Sequence, residues 1–334
     1  MLKSSRLVGV IALPFAFTAC GPQTAPPSRS ADSRTSTRPV ALFEFHSDPW
    51  VNLHQRLFAE ATWNQYWHAT VTTCACAKGR DGEVVPAWIA AVAGYKSGLG
   101  SRNQVFDPSL ASTNLALALA GTTASLPKAG IDPVVAKWIG GGYEPYMRGE
   151  WAGDDARNKA WIEAIEPLVA KWGPEIADEY GKRFRVAWPS RPIRVEVSRY
   201  ADSVGAYTTS DPILTTMSSE DPGYAGASGL EMLFHEASHG LDSILTHELQ
   251  MAFIAKGKRE PSRLDHAIIF YTAGELVRRR VPGYVPYAVR EGVYKRGWEK
   301  YETALRAHWQ PWLDDRIDFE TALDRLATAF DAGD

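Results

Sequence analysis

The sequence predicts an α+β chain, predominantly helical, with a small sheet packed over one helix. Three observations lead there. Apolar residues recur at three- and four-residue steps through most of the chain. After Pro189 the pattern changes to strict alternation, with Ile193, Val195 and Val197 against Arg194, Glu196 and Ser198. A second helical stripe, starting at Leu230, follows that alternating region directly. The 334 residues suffice for one large or two modest domains. With 36 Lys+Arg against 39 Asp+Glu, the net charge is −3 and nucleic acid is an unsuitable main partner. The 45% hydrophobic and 22% charged residues are those of a globular protein. No apolar run reaches the ~18 residues of a membrane-spanning helix.

Residues 1–19 read as an export signal. Lys3 and Arg6 precede the apolar stretch Leu7 to Ala19, which is too short to span a bilayer. The stretch ends Phe17-Thr18-Ala19-Cys20-Gly21, which resembles the bacterial lipobox with Phe17 in place of the usual Leu. That resemblance implies a lipid on Cys20, hence a membrane partner through the lipid, and anchorage in the cell envelope. In a two-membrane bacterium the destination would be the outer membrane. Residues 20–39, rich in Pro, Ser, Thr and Arg, read as a flexible tether. Cys74 and Cys76 are expected as small buried thiols or a disulfide without a catalytic role.

Residues 40–188 form a helical region. Helices are expected over Trp50 to His68, Val84 to Ser97 and Ser109 to Ala120, the last opened by Asp107-Pro108. Gly140-Gly141-Gly142 reads as a break. Asp154-Asp155 opens a long helix that Gly173-Pro174 interrupts. His46 and His54 are expected as core or surface residues rather than cleft walls.

Residues 189–334 carry the strands and the chemistry. Ala206 to Thr209 and Ile213 to Met217, around Ser210-Asp211-Pro212, read as a hairpin. Then comes Leu230-Glu231-Met232-Leu233-Phe234-His235-Glu236-Ala237-Ser238-His239. It contains His-Glu-x-x-His on an apolar stripe that continues to Leu245, with Ser228 and Glu231 placed for a capping box. His235 and His239 are four apart and share one helix face, so two imidazoles can share a metal ion. Glu236 is turned about 100° away, beside the ion, where it can take a proton. Zinc needs a third protein ligand and an open position. The candidates are Asp242, His247, His266 and Glu275. Asp242 is also placed to orient His239 from behind. Glu275 stands in an apolar run, Ile268 to Leu276, where an unpaired carboxylate is costly. Ala273 and Gly274 beside it allow close helix approach. The last segments, Tyr294 to Leu305 and Asp318 to Phe330, read as packing helices.

HExxH followed by Glu on a second helix resembles the gluzincin group of zinc peptidases, which includes thermolysin. The metzincin pattern does not fit, because Asp242 and Leu245 stand where its Gly and His belong. Over roughly residues 190–280 the gluzincin resemblance implies a zincin-like domain. Its Zn2+ ligands would be His235, His239 and Glu275, and Glu236 the general base. A mixed sheet would have an edge strand that holds extended peptide. Tyr271 is then the expected oxyanion donor, with His266, Tyr284 and Tyr287 as alternatives. The expected function is hydrolysis of peptide or protein in the cell envelope. The alternative is a zincin-like scaffold or binding lipoprotein without activity.

Overall fold

A computed structural model describes residues 41–62, 71–79, 81–210 and 212–330. The expected export signal, the tether, Cys20 and His68 lie outside the described residues. Strand β1 (Phe43–His46) is followed by helices α1 (Pro49–Thr62), α2 (Pro86–Leu99), α3 (Pro108–Ala120), α4 (Pro133–Gly149) and α5 (Trp151–Phe184). Strands β2 (Ile193–Ser198), β3 (Ala206–Ser210) and β4 (Ile213–Ser218) come next. Helices α6 (Ala227–Ser238), α7 (Ser243–Ala255) and α8 (Leu264–Arg280) follow, then the short α9 (Tyr287–Arg290). The chain ends with α10 (Glu299–Ala304), α11 (Gln310–Leu313) and α12 (Phe319–Ala329). The molecule is therefore α+β and predominantly helical. No described helix is long and apolar enough to cross a membrane.

The four strands form one mixed sheet in the order β1-β2-β4-β3. β1, β2 and β4 are parallel, and β3 runs antiparallel to β4 at the edge. The alternation of β2 is read out on the two faces. Val195 and Val197 join a core with Phe43, Trp161 and Ile165 and with Leu230, Leu233 and Phe234 of α6. Leu214, in register with Arg194, faces a second core built by α1 to α4 around Leu53, Trp88 and Ile139. Each fully buried side chain of this kind stabilises the fold by about 1.5–3 kcal/mol.

Three expectations of the sequence are corrected here and one is refined. The region 40–188 is mostly helical but also supplies a strand, because Phe43 to His46 pair with Ile193 to Glu196. β1 thus ties the first region into the sheet of the second. Gly140-Gly141-Gly142 does not break α4. A β-carbon on Gly142 would lie 3.3 Å from Leu57 and 3.5 Å from Trp88, so the glycine serves close packing inside a continuous helix. Gly173-Pro174 does not interrupt α5, which runs through Pro167 and Pro174 over 34 residues. Packing of its Trp161, Ile165, Ile176 and Tyr180 outweighs the lost backbone bonds. Finally, the HExxH helix is not continuous to Leu245. His239, Gly240 and Leu241 donate to carbonyls three residues back, and α6 tightens and ends there.

Cys74 and Cys76 are buried and disulfide-bonded, on a short turn against α4. His54 is a core residue, bonded to the Tyr95 hydroxyl at 3.1 Å and held neutral by burial, near a pKa of about 4.

Candidate metal centre

α6 enters from Gly226, at φ 60°, without a side-chain cap. The expected capping box is absent because both its members are used elsewhere. Ser228 accepts from Arg290 Nη1 at 2.6 Å. Glu231 accepts from the Tyr284 hydroxyl at 2.6 Å and from the Tyr287 backbone at 3.0 Å. The carboxylate of Glu231 therefore clamps the segment after α8 onto α6. Gly274 makes this possible, since a β-carbon there would lie 2.8 Å from Pro286 and 3.2 Å from Glu231 Oε1. The small residues of α8 do allow the close approach that the sequence suggested.

That approach brings three imidazoles together. One donor nitrogen each of His235, His239 and His266 lies within 4.8 Å of the others. His235 Nε2 and His266 Nε2 are 3.2 Å apart. Tetrahedral zinc with Zn–N bonds of 2.0–2.1 Å sets its nitrogens about 3.3–3.4 Å apart. The rings of His235 and His239 are 5.0 Å apart and perpendicular. Burial pushes His235 well below the ordinary imidazole range, with further help from the other two histidines. Burial likewise takes His239 and His266 to about 4. Neutral imidazoles are the form that binds metal. A neutral imidazole carries one N–H and one lone pair, so His235 Nε2 and His266 Nε2 can share a hydrogen bond in one tautomer pair, and in the other both can turn lone pairs toward a cation. The donor set therefore fits zinc.

Glu275 does not belong to this cluster. Its carboxylate receives both Nε (2.9 Å) and Nη2 (2.6 Å) of Arg278. It is nine residues beyond His266 on α8, about 13 Å further along and on the opposite side of the helix. The costly buried carboxylate is thus satisfied by an ion pair instead of a metal. His247 is exposed on α7. Asp242 starts α7, and its charged neighbour is Asp265, which with burial raises it to about 6. The carboxylate that acts on His239 is also Asp265, in the first turn of α8.

Glu236 is buried beside the histidines and faces the sheet. Burial raises its carboxyl to about 8, and a hydrogen bond with Thr208 opposes that rise. Thr208 belongs to edge strand β3 and also bonds Thr215 on β4 at 3.0 Å. Of the tyrosines, Tyr271 donates to Gln310 at 2.6 Å and Tyr284 to Glu231, so both hydroxyls point to other partners. The Phe270 ring packs between Tyr287, at 6.0 Å, and His235, at 4.2 Å. Trp298 stands edge-on to His266 at 5.5 Å.

The Glu231 clamp has a pH signature. Burial raises this carboxyl to about 7 against an ordinary 4.5, despite the bonds from Tyr284 and Tyr287. Below pH 4.5 it is protonated folded or unfolded. As pH rises to 7 the unfolded chain loses the proton first, so stability falls across that window. Glu231→Gln should remove this part of the fall. Urea midpoints at pH 5 and 7.5 should therefore lie closer together in the variant than in the parent. An equal separation in both would show that Glu231 carries no such burden.

Comparison with protein-family models, with curated proteins and with solved structures finds no match for this chain.

Proposed function

We propose that this protein is a zinc-dependent metallopeptidase of zincin-like design, with His235, His239 and His266 as the metal ligands. The observation that carries the reading is the convergence of three neutral imidazoles beside a buried Glu236, next to an open sheet edge. A zinc ion held there would polarise a scissile carbonyl and make water acidic enough to react. Glu236 would accept the water proton and pass it to the leaving amine. A hydrogen bond with Thr208 ties the Glu236 carboxyl to the edge strand. β3 has no strand on its outer side among the described residues, and an extended chain would pair with the backbone there. With the Tyr271 and Tyr284 hydroxyls engaged elsewhere, Tyr287 is the remaining tyrosine candidate for oxyanion donor. The acylated Cys20 and the envelope location belong to this proposal on the strength of the lipobox-like sequence.

The non-catalytic scaffold remains the second reading, favoured by the engagement of the Tyr271 and Tyr284 hydroxyls. A peptide-library digest separates the two. The enzyme cleaves, stops when a chelator removes the metal, and resumes when zinc is returned. Stoichiometric zinc with no cleavage across the library would establish the scaffold.

A further inference from the structure

The opposite face of the sheet holds a second cluster. His46 on β1 is in register with Glu196 on β2, and Asp48 follows β1 directly. One donor atom each of His46, Asp48 and Glu196 lies within 4.8 Å of the others. Arg194 orders the two acids. Its Nε holds Glu196 Oε1 at 2.6 Å, and its Nη2 holds Asp48 Oδ2 at 2.8 Å and the Ala118 carbonyl at 2.8 Å. One oxygen of each carboxylate is thereby fixed, and the other is left over. Glu196 is 0% exposed, and its Oε2 has no hydrogen-bond partner. His46 Nε2 is likewise buried without a hydrogen bond, although the exposed Glu44 carboxylate lies 3.5 Å away.

We propose that His46, Asp48 and Glu196 form a divalent-cation site, independent of the three-histidine centre. When ionised, Asp48 and Glu196 set two negative charges against the one positive charge of Arg194, so a cation would meet a net negative ligand pair. An unpaired carboxylate oxygen away from water is costly, and a cation removes that cost. Two carboxylates and one imidazole suit Mn2+, Fe2+ or Zn2+ better than a soft-metal ion. Arg194 would act as the positioning residue that aims both carboxylates, as outer partners of metal ligands commonly do. The side chain of His46 is 24% exposed, which leaves a path for entry.

The test uses Mn2+ as probe, in the full chain carrying His235→Ala and His239→Ala, so that cation at the other centre is not counted. Electron paramagnetic resonance of free Mn2+ should show one equivalent bound. Adding Glu196→Gln or His46→Ala should weaken binding by about tenfold or more. Glu196→Gln keeps the shape of the buried side chain, and His46→Ala changes a partly exposed one, so at least one variant should fold. If the double-histidine chain fails to fold, the parent chain saturated with both metals should lose one equivalent on His46→Ala. Absence of bound Mn2+, or equal binding in both added variants, would overturn the site and leave Glu196 protonated between its neighbours. Because the three-histidine centre is deleted, the result stands whether or not that centre binds zinc.

Discussion

Glu236→Gln is expected to keep zinc and fold while lowering peptide turnover by about 10²–10⁴-fold. The loss corresponds to about 3–5 kcal/mol of barrier. The argument rests on where Glu236 sits. It follows His235 on α6 and is 5% exposed, turned toward Thr208 on the edge strand. An amide has the same shape and can still accept from the Thr208 hydroxyl, so the packing around it need not change. What it lacks is a basic oxygen for the water proton. The matching measurements are kcat on a cleaved peptide, zinc per chain and the thermal midpoint. Unchanged zinc and midpoint with kcat at the parent level would remove Glu236 from the mechanism. A variant that lost zinc as well would point to Glu236 as a structural support of the histidines.

The parts of this architecture written locally were legible. His235 and His239 needed only the helical repeat, and their helix announces itself through Leu230, Leu233, Phe234 and Ala237. Asp107 caps α3 through the backbone of Ser109 and Leu110, as its place before Pro108 suggests. The hairpin of β3 and β4 follows from alternation around a Pro. What was not legible depends on distant partners. β1 is only four residues long, and it becomes a strand because Ile193 to Glu196 lie beside it. Gly142 and Pro174 are breakers by local rule, but their helices are held by side chains far away in sequence. Glu231 reads locally as a cap, and only the return of the chain at Tyr284 and Tyr287 shows its use. The same limit applies to Glu275. A burial argument correctly found that Glu275 needed a positive partner, but Arg278, three residues on, supplies it.

His266→Ala is expected to weaken zinc binding by at least about a hundredfold, and Glu275→Ala to leave it nearly unchanged. The two residues share α8, so any general damage to that helix should affect both variants alike. Their surroundings differ. His266 Nε2 is 3.2 Å from His235 Nε2, and Phe270, one turn along, packs its ring 4.2 Å from that of His235. This face of α8 is the one pressed against α6. Glu275 lies on the other side, engaged by a half-exposed Arg278. Removing its carboxylate frees an arginine that water can solvate, which costs about 1 kcal/mol or less. Zinc per chain after dialysis against a metal buffer, with a competing chelating dye for affinity, gives the comparison. The reverse outcome, zinc lost with Glu275 and kept without His266, would restore the gluzincin ligand set and require α8 to turn by half a revolution on metal binding. Retention of zinc in both variants would instead mean that His235 and His239 recruit a ligand from elsewhere. Asp265 is then the first residue to replace, since it neighbours His266 in sequence and acts electrostatically on His239.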